Sequence, residues 1–191
     1  MIRIHITSAS SATAVVAAIE ETGERYEVIR SDRPGVGPSL DDGVVHLSGT
    51  AAILLWLGDR FPERRLVPLV GDPDRPRVFT WVTWLANTVQ TAVARLDPTS
   101  GPPVGDDLAA TMRTAAVDDL AAAFDFVDAE LAGRTVLVGT RCTVADLYLH
   151  MLTAASRVDG RDAPALRPAL AAHREMVEAL PSVVRMRQRL I

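Results

Sequence analysis

Residues 2–29, "IRIHITSASSATAVVAAIEETGERYEVI", change their hydrophobic period twice, and that change decides the fold. Ile2, Ile4 and Ile6 alternate with Arg3 and His5, the period-two pattern of a short strand with one buried face. Val15, Val16, Ile19 and the alanines between them then predict a helix from about residue 11 to 22, with Gly23 placed for a left-handed cap. Tyr26, Val28 and Ile29 form a second strand. Strand, helix, strand is a crossover, which favours parallel pairing with a right-handed connection.

Working outward, "LDDGVVHL" (40–47) carries Asp42-Gly43 between apolar positions and predicts a tight hairpin. "SGTAAILLWLGDRFP" (48–62) reads as a helix that starts at Ser48 or Gly49 and ends before Pro62. From 63 to 75 the chain turns to Pro, Gly, Asp and Arg, the composition of a linker. Beyond it the pattern is helical throughout, over 76–96, 106–132, 144–158 and from 165 to the end, with Pro181 in the first turn of the last helix. The expected fold class is therefore α/β followed by all-α, with domains at 1–62 and 76–191.

Composition excludes several functions. The 191 residues are 48% hydrophobic and 23% charged with a formal charge of -4, so no field draws the chain to nucleic acid or to an anionic bilayer. All basic side chains are arginine, which removes Schiff-base and phosphate-loop lysine chemistry. Four scattered histidines show no metal-ligand spacing, so no metal is expected. No segment reaches the roughly 20 apolar residues of a membrane span. A single Cys142, unable to pair internally, predicts a reducing, cytoplasmic compartment.

In "TVADLYLHML" (143–152), Thr143 and Asp146 have capping-box spacing, with Asp replacing the usual Glu or Gln. This is a structural signal with no catalytic role. Ser8, Ser10 and Ser11 precede the first helix and read either as its cap or as hydroxyls aimed at a substrate.

The order of "GPSL", "LSGTAAILLWLGDRFP", "FTWVTWL" and "TVADLYL" resembles the glutathione transferases, most nearly the bacterial kind with a serine or cysteine near the first helix. The resemblance spans nearly the whole chain. It implies a thioredoxin-like half followed by a helical bundle, glutathione or another low-molecular-weight thiol as cofactor, a small-molecule electrophile as partner, and a homodimer. Aligned by "EETG", Ser11 falls on the family's catalytic position, with Ser10 as the near alternative. A helix start exposes amide donors and partial positive charge. With a serine hydroxyl it would lower a thiol from a pKa near 8.5 by about one to two pH units, each worth about 1.4 kcal/mol. No "GxSxG" accompanies the serine, so it would donate a hydrogen bond and not act as a covalent nucleophile.

The resemblance also makes Pro38 the family's cis-proline, presenting the backbone of Gly37 to the thiol. Thr50 matches the serine that binds the γ-glutamyl carboxylate. Gly49 stands where the pattern shows an acid, and losing such a charge-assisted bond costs about 1.5 to 3 kcal/mol. Only "SDRPGVG" separates the second strand from Pro38, too short for the helix the family inserts there, and Arg30 or Arg33 either holds a carboxylate at the pocket edge instead or, as exposed loop arginines more often are, is simply solvated. On the long helix Thr80, Thr83, Asn87, Thr91 and Arg95 recur at three and four, which places them on one side. This polar stripe reads as plain surface for most of its length; if the cleft lies there, Asn87, Thr91 and Arg95 are expected to meet the electrophile, with Trp81 as a wall. The departures leave room for a silent binding module on the same fold, and the fold also hosts isomerases or lyases.

Overall fold

The structure, a computed structural model, describes residues 1–8, 12–30, 37–96, 105–158, 161–162 and 166–190. β1 (Ile2–Ile6), α1 (Thr13–Thr22) and β2 (Tyr26–Arg30) form the expected crossover, with β1 and β2 parallel and Ile4 opposite Val28. β3 (Ser39–Asp41) pairs antiparallel with β1, and β4 (His46–Ser48) antiparallel with β3. The sheet order is β2-β1-β3-β4. The hairpin loop is four residues long. Asp42 donates its N–H to Val45 and accepts from the amides of Val44 and Val45 on Oδ1, while Gly43 takes φ 95°, which a side chain would disfavour.

α2 (Thr50–Arg60) packs on α1, β3 and β4, and a 3₁₀ turn (Pro62–Arg64) follows it. α3 (Asp74–Trp84) begins the helical half. It runs through a π turn (Leu85–Val89) into α4 (Gln90–Leu96), so the uniform helix expected over 76–96 is interrupted. α5 (Asp106–Leu131), α6 (Val144–Ala155), α7 (Pro168–Glu178) and α8 (Pro181–Leu190) complete it, with a two-residue ladder between β5 (Arg157–Val158) and β6 (Arg161–Asp162). α6 stops three residues short of the expected end. The hydroxyls of Thr153 and Ser156 bond back to the carbonyls of His150 and Leu152, a side-chain competition that favours helix termination.

One apolar core joins the halves. Ile4, Ile6, Val15 and Ile19 are continuous with Leu57, Val82, Phe124 and Leu149, all fully or almost fully buried. The chain is also tied across the junction by polar contacts. Val144 donates its N–H to Leu66 at 2.9 Å, Arg185 bonds the carboxylate and the backbone carbonyl of Glu20, and Tyr26 donates to the same carboxylate. Thus α8 is clamped onto the back end of α1, which fixes where the front end of α1 lies.

Gly58 marks the tightest approach between α2 and the segment after it. A Cβ there would sit 2.2 Å from Val67 Cγ2, and Val67 is buried and has no free space to yield. Gly58→Ala should therefore lower unfolding stability by about 1–3 kcal/mol, despite a helix-propensity gain of about 1 kcal/mol, and a shifted urea midpoint checks it.

Candidate functional site

The start of α2 opens onto a candidate ligand site. Gly49 enters the helix at φ 90° and ψ 134°, a backbone conformation nearly confined to glycine, and no side chain caps the helix. This gives a local reason for the missing acid: any side chain at 49 would strain the entry. Gly49 is held there by its N–H bond to the Pro38 carbonyl at 2.9 Å. Thr50 is 3% exposed, and its hydroxyl has no protein partner among the described residues.

This helix start opens onto a groove of about 470 Å³, within the roughly 300–1,000 Å³ usual for small-molecule sites. Its polar lining is Ser48, Gly49 and Thr50 at the start of α2, Gln90 and Thr91 of α4, and Tyr148 of α6. Burial pushes the Tyr148 phenol well above its ordinary pKa, so it stays protonated and donates to Gln90 Oε1. That fixes the orientation of the Gln90 carboxamide, whose NH₂ group has no partner among the described residues. The groove thus offers backbone amides, a hydroxyl and an amide donor, with no carboxylate in its lining. Such a set receives an anion.

Gln90 and Tyr148 were not legible in the sequence. Gln90 lies outside the polar row traced along an ideal helix, and Tyr148 reads as core. The π turn explains the first miss: one inserted residue rotates the downstream helix by about 100° relative to an ideal projection, which carries Gln90 into the groove. Thr91 bonds to the carbonyl of Ala86, five residues back, and lies in the groove with Thr50.

Asn87 and Arg95 depart from the expected single side. They line a separate cleft of about 420 Å³ between the long helix and α5, where Arg95 pairs with Asp119 at 2.9 Å. Trp81 lies beside that cleft, edge-on to Trp84 with ring centroids 5.5 Å apart and 5.8 Å from Phe126. The structure therefore brings together Gly49, Thr50 and Thr91, and does not bring Trp81, Asn87 or Arg95 to them.

Ser10 and Ser11 lie outside the described residues, as does Arg33. α1 begins two residues later than expected, and its N-cap position, Ala12, supplies no side-chain cap. Ser8 is exposed. Gly37 is exposed and the Gly37–Pro38 bond is trans, since no peptide bond among the described residues is cis. This corrects the expected cis-proline; the cis form is the minority state of proline. Arg30 donates to the carbonyl of Leu190 at 3.2 Å, so it serves the α8 contact and not the groove. Among the described residues no cluster suits a metal ion and no helix is long and apolar enough to cross a membrane.

Comparison with known proteins gives concordant matches. Residues 87–181 match the family described as glutathione S-transferase, C-terminal domain. Over 129 residues, 68% of this chain, the sequence is 26% identical to glutathione S-transferase GstA of Escherichia coli O157:H7, and the match spans 60% of that protein's length. The fold superposes on a sphingomonad glutathione S-transferase complexed with glutathione with a TM-score of 0.82, 26% identity and 97% of each chain covered. The Xylella fastidiosa glutathione S-transferase superposes with a TM-score of 0.86 at 21% identity over 98% of each chain.

Proposed function

We propose that this chain, a member of the glutathione S-transferase family with its thioredoxin-like and helical halves, binds glutathione or a closely related thiol in the groove at the start of α2 and directs its sulfur onto a small electrophile. The observation that carries the reading is the uncapped helix start facing Gln90 across an acid-free groove. The γ-glutamyl carboxylate would meet the amide and hydroxyl of Thr50, with the Gln90 carboxamide as a further donor.

From that anchor the thiol peptide would run along Gly37 and Pro38 toward the front of α1, where Ser11, or Ser10 beside it, donates to the sulfur. Partial positive charge at the start of α1 favours the thiolate, and positioning supplies the remaining acceleration. Thr91 at the groove rim would meet the electrophile. Asn87 and Arg95 would do so only for a substrate extending into the neighbouring cleft. The half-exposed Trp81, Trp84 and Phe126 patch supports a homodimer, because clustered aromatic surface favours burial against a partner. The domain limits 1–62 and 76–191 and a cytoplasmic location belong to the same proposal.

Replacing Ser11 by alanine should reduce the rate of glutathione conjugation to an aryl halide at least about tenfold, the loss of about 1.4 kcal/mol of thiolate stabilisation, while leaving the circular dichroism spectrum unchanged. Turnover equal to that of the unaltered protein would remove Ser11 from the mechanism. The rival reading, a silent binding module, rests on Gly49 and the short segment before Pro38. It is separated by calorimetry, in which binding of glutathione below millimolar supports the enzyme and silence across cellular thiols supports the module.

A further inference from the structure

A second cavity lies away from the thiol groove, where the segment after α2 meets the loop entering α6. It measures about 220 Å³, and its charged lining is Arg65 and Arg141 with Asp72 and Asp74, while Gly139 and Thr140 supply backbone and hydroxyl. Its walls are anchored. Leu66 and Val67 are buried, the Leu66 carbonyl accepts from Val144, and the Leu137 amide is held by buried Asp146. The volume falls below the roughly 300 Å³ at which drug-sized sites begin, so it suits a ligand of few heavy atoms.

The charges are unevenly committed. Among the described residues neither Arg65 nor Arg141 has a side-chain hydrogen-bond or ion-pair partner. Arg65 is the left-handed C-cap of the 3₁₀ turn, at φ 57°, with its N–H donated to the Pro62 carbonyl at 3.2 Å. On the acidic side, Asp74 Oδ1 accepts from Arg77 at 2.8 Å and its Oδ2 lies against Gly139, where an added Cβ would be 2.9 Å away. Asp72 uses only Oδ1, for the Asp74 amide.

We propose that this cavity binds a small zwitterion, a free α-amino acid, with its carboxylate taken by Arg65 and Arg141 and its ammonium by Asp72. An inorganic anion would satisfy the guanidinium groups and be repelled by the two aspartates, and a simple cation would meet the reverse. Only a ligand carrying both charges is complementary to both sets, so repulsion selects as much as attraction does. The site is separate from the thiol groove and does not depend on it.

The test is a titration of the isotope-labelled protein with L-glutamine, followed at the amides of Gly139, Thr140 and Arg141. Saturable shifts are expected there, with affinity at least about tenfold weaker for glutaramic acid, which lacks the ammonium, and in Arg141→Gln and Asp72→Asn, each of which removes one charge-assisted contact. Asn at 72 retains the side-chain acceptor for the Asp74 amide, so α3 should stay folded. Absence of saturation, equal or tighter binding of sodium phosphate, or unaltered affinity in both variants would overturn the proposal. Glutathione conjugation measured on the same variants should be unchanged, which keeps this result distinct from the fate of the thiol groove.

Discussion

Asp146→Ala should lower unfolding stability by about 3–5 kcal/mol, the largest single effect expected in the molecule. Asp146 is 0% exposed and accepts from the Leu137 amide at 2.8 Å, the Thr143 amide at 2.8 Å and the Thr143 hydroxyl at 2.9 Å, with His173 Nε2 at 3.0 Å. The same carboxylate closes the capping box of α6, joins the loop before it and holds α7 through His173. Deleting it orphans several buried donors, each costing about 1–3 kcal/mol, and no water can reach them without opening the core. Asp146→Asn keeps one carbonyl acceptor but turns an NH₂ toward existing donors, so it should fall between the two. Urea unfolding of the three proteins decides it. A loss under about 1 kcal/mol for the alanine variant would mean that the network does not hold the helical half together.

Stability should also fall as pH drops from about 6.5 to 4, through His150. Burial lowers its pKa from 6.5 to about 4, with Glu178 only partly offsetting that and Arg174 and Arg187 reinforcing it. The folded state therefore keeps this imidazole neutral at pH values where the unfolded chain protonates it. Stability is fully present above 6.5 and is lost as pH falls toward 4, and a gap of this size corresponds to about 3 kcal/mol. Glu178 acts in the same direction over a lower range. Burial alone would raise it, yet Arg174 and Arg187 hold it below its ordinary value, so its contribution disappears as acid protonates it. His150→Gln should flatten the profile between pH 6.5 and 4.5 relative to the unaltered chain, measured by urea midpoints at each pH. Parallel profiles would exclude His150 as the source.

The architecture was legible because its signals are local. Ile2, Ile4 and Ile6 alternate, Gly23 takes φ 76° at the end of α1, and Thr143 with Asp146 forms the expected capping box. The site was less legible, for two physical reasons. A helix projection assumes a constant angle per residue, and the π turn at Leu85–Val89 breaks it, so Gln90 enters the groove unannounced. Thr91 and Arg95 both lie in α4, and Arg95 is drawn to the other cleft by its pair with Asp119. Tyr148 carries its information in a long-range hydrogen bond to Gln90, which no periodicity encodes. Gly49 reads in the sequence as a lost acid. Its φ of 90° shows the accompanying gain, an unstrained entry into α2.

A crystal structure of the protein grown with glutathione is the most direct test of the thiol groove. The γ-glutamyl carboxylate should lie about 3 Å from the Thr50 amide, with the Gln90 carboxamide within hydrogen-bond reach and the sulfur beside residue 11. Glutathione bound elsewhere, or a groove left vacant at saturating ligand, would contradict the assignment.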